Sequence, residues 1–452
     1  MDYESVKRLG LNHMNFDAEK SFETYDPTTA NHTINLYLKK DKKQFCQYCG
    51  SVELFSKGSK SQKLKYSSAL EDNINIVLHR RCYQCKHCNK YFKENNPFSE
   101  SKRTTSLQKE IKILLALKEL NTTYSEIAKR FEVSPTYVTN LFDKKIDIRR
   151  GKLTRVICVD EIYSRKISRT SYCFVIYSPQ TKTILDILNS RHSDILAAYF
   201  TKISKEERDY VQFFSIDLYN HYRVIAKNYF PKAKICADSF HVIKNLTTAF
   251  QSIRVQSMKK YEHLKNEKSN YYWLYKKYWK LLLINREKLG YKKIKVSKSG
   301  MYLTPREIID YMLDLSPTLK LAYELMQEYK NFNSSANINN CTEWLNELIL
   351  KFMDSNMDEY IKFGKLLKNW KNEIINSFHR INGYRISNGP MERVNRDIKT
   401  VLRLSFGSTN FCRTRNRIMY AINENEPILY KRKKHINKTK GKSRGPYKKH
   451  KK

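Results

Sequence analysis

The sequence predicts a multidomain α/β protein: a cysteine-rich module and a helical module, then a mixed sheet interrupted by a long helical insertion. Three observations carry that prediction. Five of the ten cysteines fall between Cys46 and Cys88. Short apolar runs alternate with helical periodicity from Lys152 to His241. From Asn245 to about His379 the chain turns helical, aromatic and rich in lysine. A chain of 452 residues is long enough for two to four such domains and a large core.

Composition narrows the function. Lys and Arg number 85 against 45 Asp and Glu, a formal charge of +40. That imbalance draws a chain to polyanions, above all nucleic acid. No lipidation signal or apolar run of membrane-spanning length supports a membrane-surface protein. The opening Met-Asp-Tyr-Glu-Ser-Val-Lys lacks the pattern of a secretory signal, which places the protein in the cytoplasm, associated with the nucleoid.

Residues 1–95 form the first expected module. Up to about Lys43 the chain is polar and yields no chemistry. Cys46-Gln-Tyr-Cys49-Gly50 then sets a thiol pair on a tight turn, and Cys82-Tyr-Gln-Cys85-Lys-His-Cys88 follows. Two such knuckles supply the four thiolates of tetrahedral structural zinc. The second offers three cysteines and His87 for two places. Cys85 and Cys88 are favoured, because Asn-Lys-Tyr-Phe92 after them provides a turn and an aromatic to pack under the metal. Cys82 is the alternative ligand, otherwise an extra thiol.

Residues 100–150, after a linker near Asn95-Asn96-Pro97, read as helical. Ile111, Leu114, Leu115 and Leu117 to Leu120 make one apolar face. Tyr124 to Phe131 makes a short helix, Glu132-Val133 a turn, and Ser134 to Phe142 a second helix, with Ser134 as N-cap and Pro135 at the first helical position. This is the pattern of a helix-turn-helix DNA reader, though a structural helical hairpin shares it. Thr136, Tyr137, Thr139 and Asn140 would face bases or phosphates. Basic Lys144, Lys145, Arg149 and Arg150 flank them.

From Lys152 the expected order is three strands (Leu153 to Asp160, Ser171 to Tyr177, Thr183 to Leu188), a helix (Asp194 to Ile203), a strand (Tyr210 to Asp217), a helix (Tyr222 to Tyr229) and a strand (Lys234 to Asp238). That is the order of a ribonuclease-H-like sheet, here in two parts, residues 152–260 and 386–425. Val156, Ile157 and Val159 suit a buried central strand that Asp160 closes, and Asp217 closes the fourth strand. In that topology the two strand ends are neighbours. Residues 261–385 form the helical insertion, whose aromatics are expected mostly in the core. After Gly389, Glu392, Asn395 and Lys399 share one helix face. Residues 426–452 form a basic tail; Lys431 to Lys452 holds twelve Lys or Arg and no acid, and is expected to be disordered and to contact phosphates.

Carboxylates gathered in so basic a chain point to a hard divalent cation, Mg²⁺ or Mn²⁺, because their repulsion would otherwise raise a pKa. Asp160 is then the shared ligand, with Asp217 and Glu392 each holding one of two ions. Glu161 is left as a supporting neighbour, and Asp238 with His241 is the rival constellation.

The paired knuckles, the strand ending Val159-Asp160-Glu161, the segment Phe230-Pro231 to Asp238-Ser-Phe-His241-Val-Ile-Lys244, and Ser387-Asn388-Gly389-Pro-Met-Glu392-Arg-Val-Asn395 to Lys399 together resemble the ISL-three family of bacterial DDE transposases. The resemblance implies a ribonuclease-H-like core with a DDE triad at Asp160, Asp217 and Glu392. It also implies strand cleavage and transfer at terminal inverted repeats, target DNA as second substrate, and at least a homodimer. The chain departs from the family pattern at Arg393, Arg396-Asp397 and Ser405-Phe406-Gly407. A DNA-binding repressor or domesticated regulator without catalysis is the alternative.

Overall fold

The computed structural model describes residues 16–28, 31–40, 44–67, 73–99, 104–165, 167–168, 170–264, 271–296, 300–405 and 409–428. The expected basic tail from residue 429 onward and Phe406-Gly407 lie outside them. The chain divides into two compact units, one of Met1–Ile148, Arg403–Phe406 and Asn416–Lys452, the other of Arg149–Leu402 and Gly407–Arg415.

In the first unit, strands β1 (Phe22–Asp26), β2 (Asn31–Tyr37), β3 (Leu54–Ser67), β4 (Asn73–Cys85) and β5 (Tyr91–Lys93) form a sheet ordered β1-β2-β4-β3, with β5 also paired to β4. Alternation sets its buried face: Ile34 and Leu36, Leu64 and Tyr66, and Ile74, Ile76 and Leu78 pack with Phe16 and Phe98. The polar N-terminal stretch thus supplies two strands that the sequence reading missed. Helices α1 (Leu107–Ala116), α2 (Tyr124–Arg130) and α3 (Pro135–Lys145) follow. Thr123 and Glu126 form a capping box on α2, and the Ser134 hydroxyl accepts the Tyr137 N–H at the start of α3, with Pro135 in its first turn. The four residues between α2 and α3 include Glu132 at φ 50°. Two expectations fail here. Leu115 is 50% exposed, because the inward face of α1 is set by Ile113, Leu114 and Ala116. Lys145 is buried at the end of α3 and is not offered to DNA.

In the second unit, β6 (Val156–Tyr163), β7 (Tyr172–Ser178), β8 (Thr183–Leu188), β9 (Phe213–Ile216) and β10 (Lys234–Ala237) form a sheet ordered β10-β9-β6-β7-β8. The β6-β7-β8 meander is antiparallel, and β9 and β10 add in parallel. Helices α4 (Ser193–Thr201), α5 (Lys205–Asp209), α6 (Asn220–Tyr229) and α7 (Ser239–Lys259) connect and follow these strands. Further helices, α8 (Tyr271–Lys277), α9 (Trp279–Leu282), α10 (Pro305–Asp314), α11 (Pro317–Ser335), α12 (Cys341–Met353), α13 (Asp358–Asn369) and α14 (Lys371–Asn376), then run to the hairpin β13–β14 (Arg380–Ile381, Tyr384–Arg385), with the hairpin β11–β12 (Ile294–Lys295, Tyr302–Leu303) between α9 and α10. One apolar core joins Ile157 and Phe214 of the sheet to Tyr323, Phe352 and Trp370 of these helices. Tyr275, Tyr329 and Tyr360 are buried in it, the core role expected of most aromatics here. Helices α15 (Gly389–Leu404) and α16 (Phe411–Ile422) end the described chain.

Candidate active site and metal centre

Register places the acids. β6 and β9 pair in parallel from Val156↔Phe213 to Cys158↔Ser215, so two residues further Asp160 comes level with Asp217. β9 and β10 pair as far as Ile216↔Ala237, so the next step brings Asp238 beside Asp217, and the Asp238 N–H donates to the Ile216 carbonyl at 2.8 Å. Three carboxylates therefore stand at the same end of three adjacent parallel strands. One detail differs from expectation. Asp160 does not close its strand, because β6 continues to Tyr163 through its antiparallel pairing with β7.

Their electrostatics follow from this crowding. Burial pushes Asp217 up to about 6, with Asp160, Glu161 and Asp238 adding to the rise and His241 opposing it. Burial likewise raises Asp160 and Asp238 above the usual carboxylate range. Asp160 accepts the Glu161 N–H at 2.7 Å through Oδ1 and the Asn395 amide at 2.6 Å through Oδ2. Asp238 accepts the Asn388 N–H at 3.2 Å, and His241 Nε2 lies 4.0 Å from its other oxygen. The Asn388 side chain donates to the Val159 carbonyl at 3.0 Å, so the residue before α15 ties β6 to β10. Asn388 belongs to a motif that the sequence displays, but nothing in the sequence announces this bridging role.

Glu161 points elsewhere. Arg191 Nη1 holds its two oxygens at 2.5 and 2.6 Å, and the Tyr222 hydroxyl donates to it at 2.8 Å. Neither partner was singled out from sequence. Glu392 stands exposed in the first turn of α15, one turn from Asn395, and Lys399 is also exposed. The structure thus brings Asp160, Asp217, Asp238 and Asn395 together, with Glu392 on the neighbouring turn. Asp217 Oδ1 and the side-chain oxygens of Asn388 and Asn395 are buried without a hydrogen-bond partner. A buried, unpartnered carboxylate oxygen beside a second carboxylate fits a hard divalent cation.

The metal centre of the first unit is more compact. Ligand atoms of Cys46, Cys49, Cys85 and Cys88 all lie within 4.8 Å of one another, the one such group among the described residues. The two knuckles repeat one geometry. Gly50 N–H donates to the Cys46 carbonyl at 2.9 Å and Asn89 N–H to the Cys85 carbonyl at 3.0 Å. Gly50 and Asn89 take φ of 75° and 58°, the left-handed turn that glycine and asparagine tolerate best. The Cys88 N–H, donating to Cys85 Sγ at 3.5 Å, leads the effects that lower this thiol. Cys49 beside it, against a backbone hydrogen bond at Ser51, is pushed up by burial and by its sulfur neighbours, so the crowded thiols favour a negative charge on Cys85 first. Cys82 stands outside the group, buried, with its thiol toward the Arg80 carbonyl. Four cysteines in paired knuckles fit a zinc ribbon that can hold a structural metal ion.

On α3, Thr136 and Asn140 are exposed, and the Thr139 hydroxyl turns back to the Pro135 carbonyl at 2.9 Å. Half-buried Tyr137 donates to Glu110 at 3.1 Å. Tyr137, Asn140, Leu141 and Lys144 line an open cavity of about 280 Å³ with Thr104, Thr105 and Glu110. No helix among the described residues is long and apolar enough to cross a membrane.

A family model described as a transposase matches residues 157–418, more than half of the chain and all three aspartates. Transposases act on DNA, which accounts for the charge and defines the class. The chain belongs to the ISL-three family of DDE transposases. No curated protein matches it.

Proposed function

We propose that the protein is a metal-dependent DNA transposase that binds the terminal inverted repeats of its element, cleaves at their ends and joins the freed 3′-hydroxyl to target DNA. The observation that carries this reading is the placement of Asp160 and Asp217 level on adjacent strands, with Asp217 Oδ1 buried and unpartnered. Sheet order β10-β9-β6-β7-β8 supports a ribonuclease-H-like core, and the α2, turn, α3 arrangement supports a helix-turn-helix reader with Thr136 and Asn140 turned outward. The zinc ribbon joins it in binding the ends. The protein acts in the cytoplasm on nucleoid DNA, as a homodimer or larger, because two element ends must be held at once.

In the reaction, Asp160 and Asp217 would hold Mg²⁺ or Mn²⁺, and Glu392 would complete the set. When bound, the cations would stabilise charge on the attacking and leaving oxygens of an in-line displacement. Asn395 fixes the rotamer of Asp160 through its amide. Asn388 and Asp238 fasten the start of α15 to the strand ends, so that Glu392, on the same helix face as Asn395, stays beside the site. Asp238 is the rival of Asp217 as second ligand and the weaker of the two, since its Oδ1 already accepts the Asn388 N–H whereas Asp217 Oδ1 has no hydrogen-bond partner. Strand cleavage and joining with Mg²⁺ on the element's own ends tests this. Asp160→Ala and Glu392→Ala should each remove both steps while leaving end binding in place. Intact cleavage and joining in both variants would overturn the assignment.

A non-catalytic regulator derived from a transposase is the second reading. The exposure of Glu392 in the first turn of α15 is the observation that favours it. Wild-type protein that binds the ends but cleaves nothing would support it.

A further inference from the structure

The zinc ribbon carries a surface that the proposed function leaves unused. At the knuckle end of the first sheet, Phe55 of β3 pairs with Gln84 of β4, and Gln84 pairs in turn with Tyr91 of β5. Residues in one registered row emerge on the same face, so Phe55 and Tyr91 stand side by side, two strands or about 10 Å apart. Both are open to solvent, at 52% and 62% exposure. The opposite face is packed: Tyr83 and Phe92 are buried there against Cys46 and Cys85, which makes the row a firm platform. Cations cluster on it. Lys57 and Lys86 lie over the Phe55 ring, 5.7 and 5.2 Å from its centre, as flexible side chains that an arriving base would displace, and exposed Lys93 follows Tyr91 on the same side of β5.

We propose that this row is a stacking platform for unpaired bases of DNA, with Phe55 and Tyr91 each covering one base and Lys57, Lys86 and Lys93 contacting the intervening phosphates. Two flat rings on an open sheet offer π-faces, and among the parts of a DNA chain it is the bases released from a duplex that have π-faces free to return. The lysine rim matches a polyanion and disfavours the basic surfaces of the chain itself or of a basic protein partner. The inference rests on the DNA-binding reading above and deepens it: the ribbon takes single-stranded DNA beside the duplex end, while base pairs are read elsewhere.

The test uses the full zinc-loaded chain and two probes, an element-end duplex with blunt ends and the same duplex with a short single-stranded tail. Wild-type protein should bind the tailed probe more tightly. The double variant Phe55→Ala/Tyr91→Ala should lose about 10-fold or more on the tailed probe and nothing on the blunt one, whereas Phe55→Tyr/Tyr91→Phe, which keeps both rings, should bind as wild type does. Unchanged zinc content shows that the platform is still built. Equal loss on both probes would make the surface a duplex contact and overturn the inference. No loss on either, the result expected if a protein partner covers the rings, would overturn it too. Failure of wild type to bind either probe would instead sink the DNA-binding reading on which it stands.

Discussion

Asp217 shows what placement does to a single side chain. Its ordinary carboxyl value of 3.8 is pushed up to about 6 by burial first and by neighbouring carboxylates after it. In the metal-free protein the folded state therefore favours the protonated form. The stability this contributes is full below the unfolded value and is lost as pH rises from about 4 through about 6. A divalent cation on the ionised carboxylates opposes that loss. Added Mg²⁺ should accordingly raise Tm more at about pH 7.5 than at about pH 5. Asp217→Asn should flatten the metal-free decline and shrink the Mg²⁺ effect, both read by thermal melting. A full Mg²⁺ shift in Asp217→Asn would remove Asp217 from the ligand set. Burial raises Asp160 as well, and the Glu161 N–H and the Asn395 amide oppose that rise only in part.

At the scale of elements, the paired knuckles make the sharpest case. Matching turns at Gly50 and Asn89 bring four sulfurs together, and Cys82, three residues before Cys85 on the same strand, is left out because an odd spacing sends its side chain out of the opposite face of β4, toward the Arg80 carbonyl. Cys85→Ser should therefore abolish tight zinc binding, whereas Cys82→Ser should keep one zinc per chain, as measured by metal analysis of the purified protein. Zinc loss in Cys82→Ser together with retention in Cys85→Ser would reverse the ligand assignment. This module was legible from sequence because paired thiols at knuckle spacing have few other uses. The strand β3 beside it was not. Up to Leu64 it is an exposed edge strand rich in lysine and serine, so neither face shows the apolar alternation that marks a strand. β1 and β2 escaped for a related reason: only Ile34 and Leu36 of β2 reach the core, and β1 is mostly exposed. By contrast, β6 to β10 are covered on both faces, and their apolar runs announced them. Their contents were legible as far as Asp160 and Asp217. The bridging of Asn388 and the Arg191–Glu161 pair join residues far apart in the chain, and only the folded register reveals them.

Over the whole molecule the dominant quantity is charge, +40 on 452 residues. Local ion pairs account for little of it, since the resolved pairs, such as Arg150–Glu207 and Arg191–Glu161, consume acids that are already outnumbered. The surplus repels itself, which costs stability, and it is relieved when phosphates replace chloride and the DNA releases its counterions. Binding to element ends should therefore weaken steeply with salt. Each neutralised phosphate adds about −0.9 to the slope of log affinity against log salt, so if the ribbon and the proposed helix-turn-helix both contact DNA the slope should be steeper than about −4. The proposed sequence reading by Thr136 and Asn140 of α3 would enter differently. Replacing either with alanine should reduce discrimination between the true end and a scrambled duplex, because a lost base contact is specific to one sequence, and leave the slope nearly unchanged, because neither side chain is charged. Both quantities come from one titration series of the full chain on the two duplexes at several salt concentrations. A slope shallower than about −2 would mean that the excess positive charge is not spent on phosphates, and a scrambled duplex bound equally by wild type and variants would remove α3 from sequence recognition.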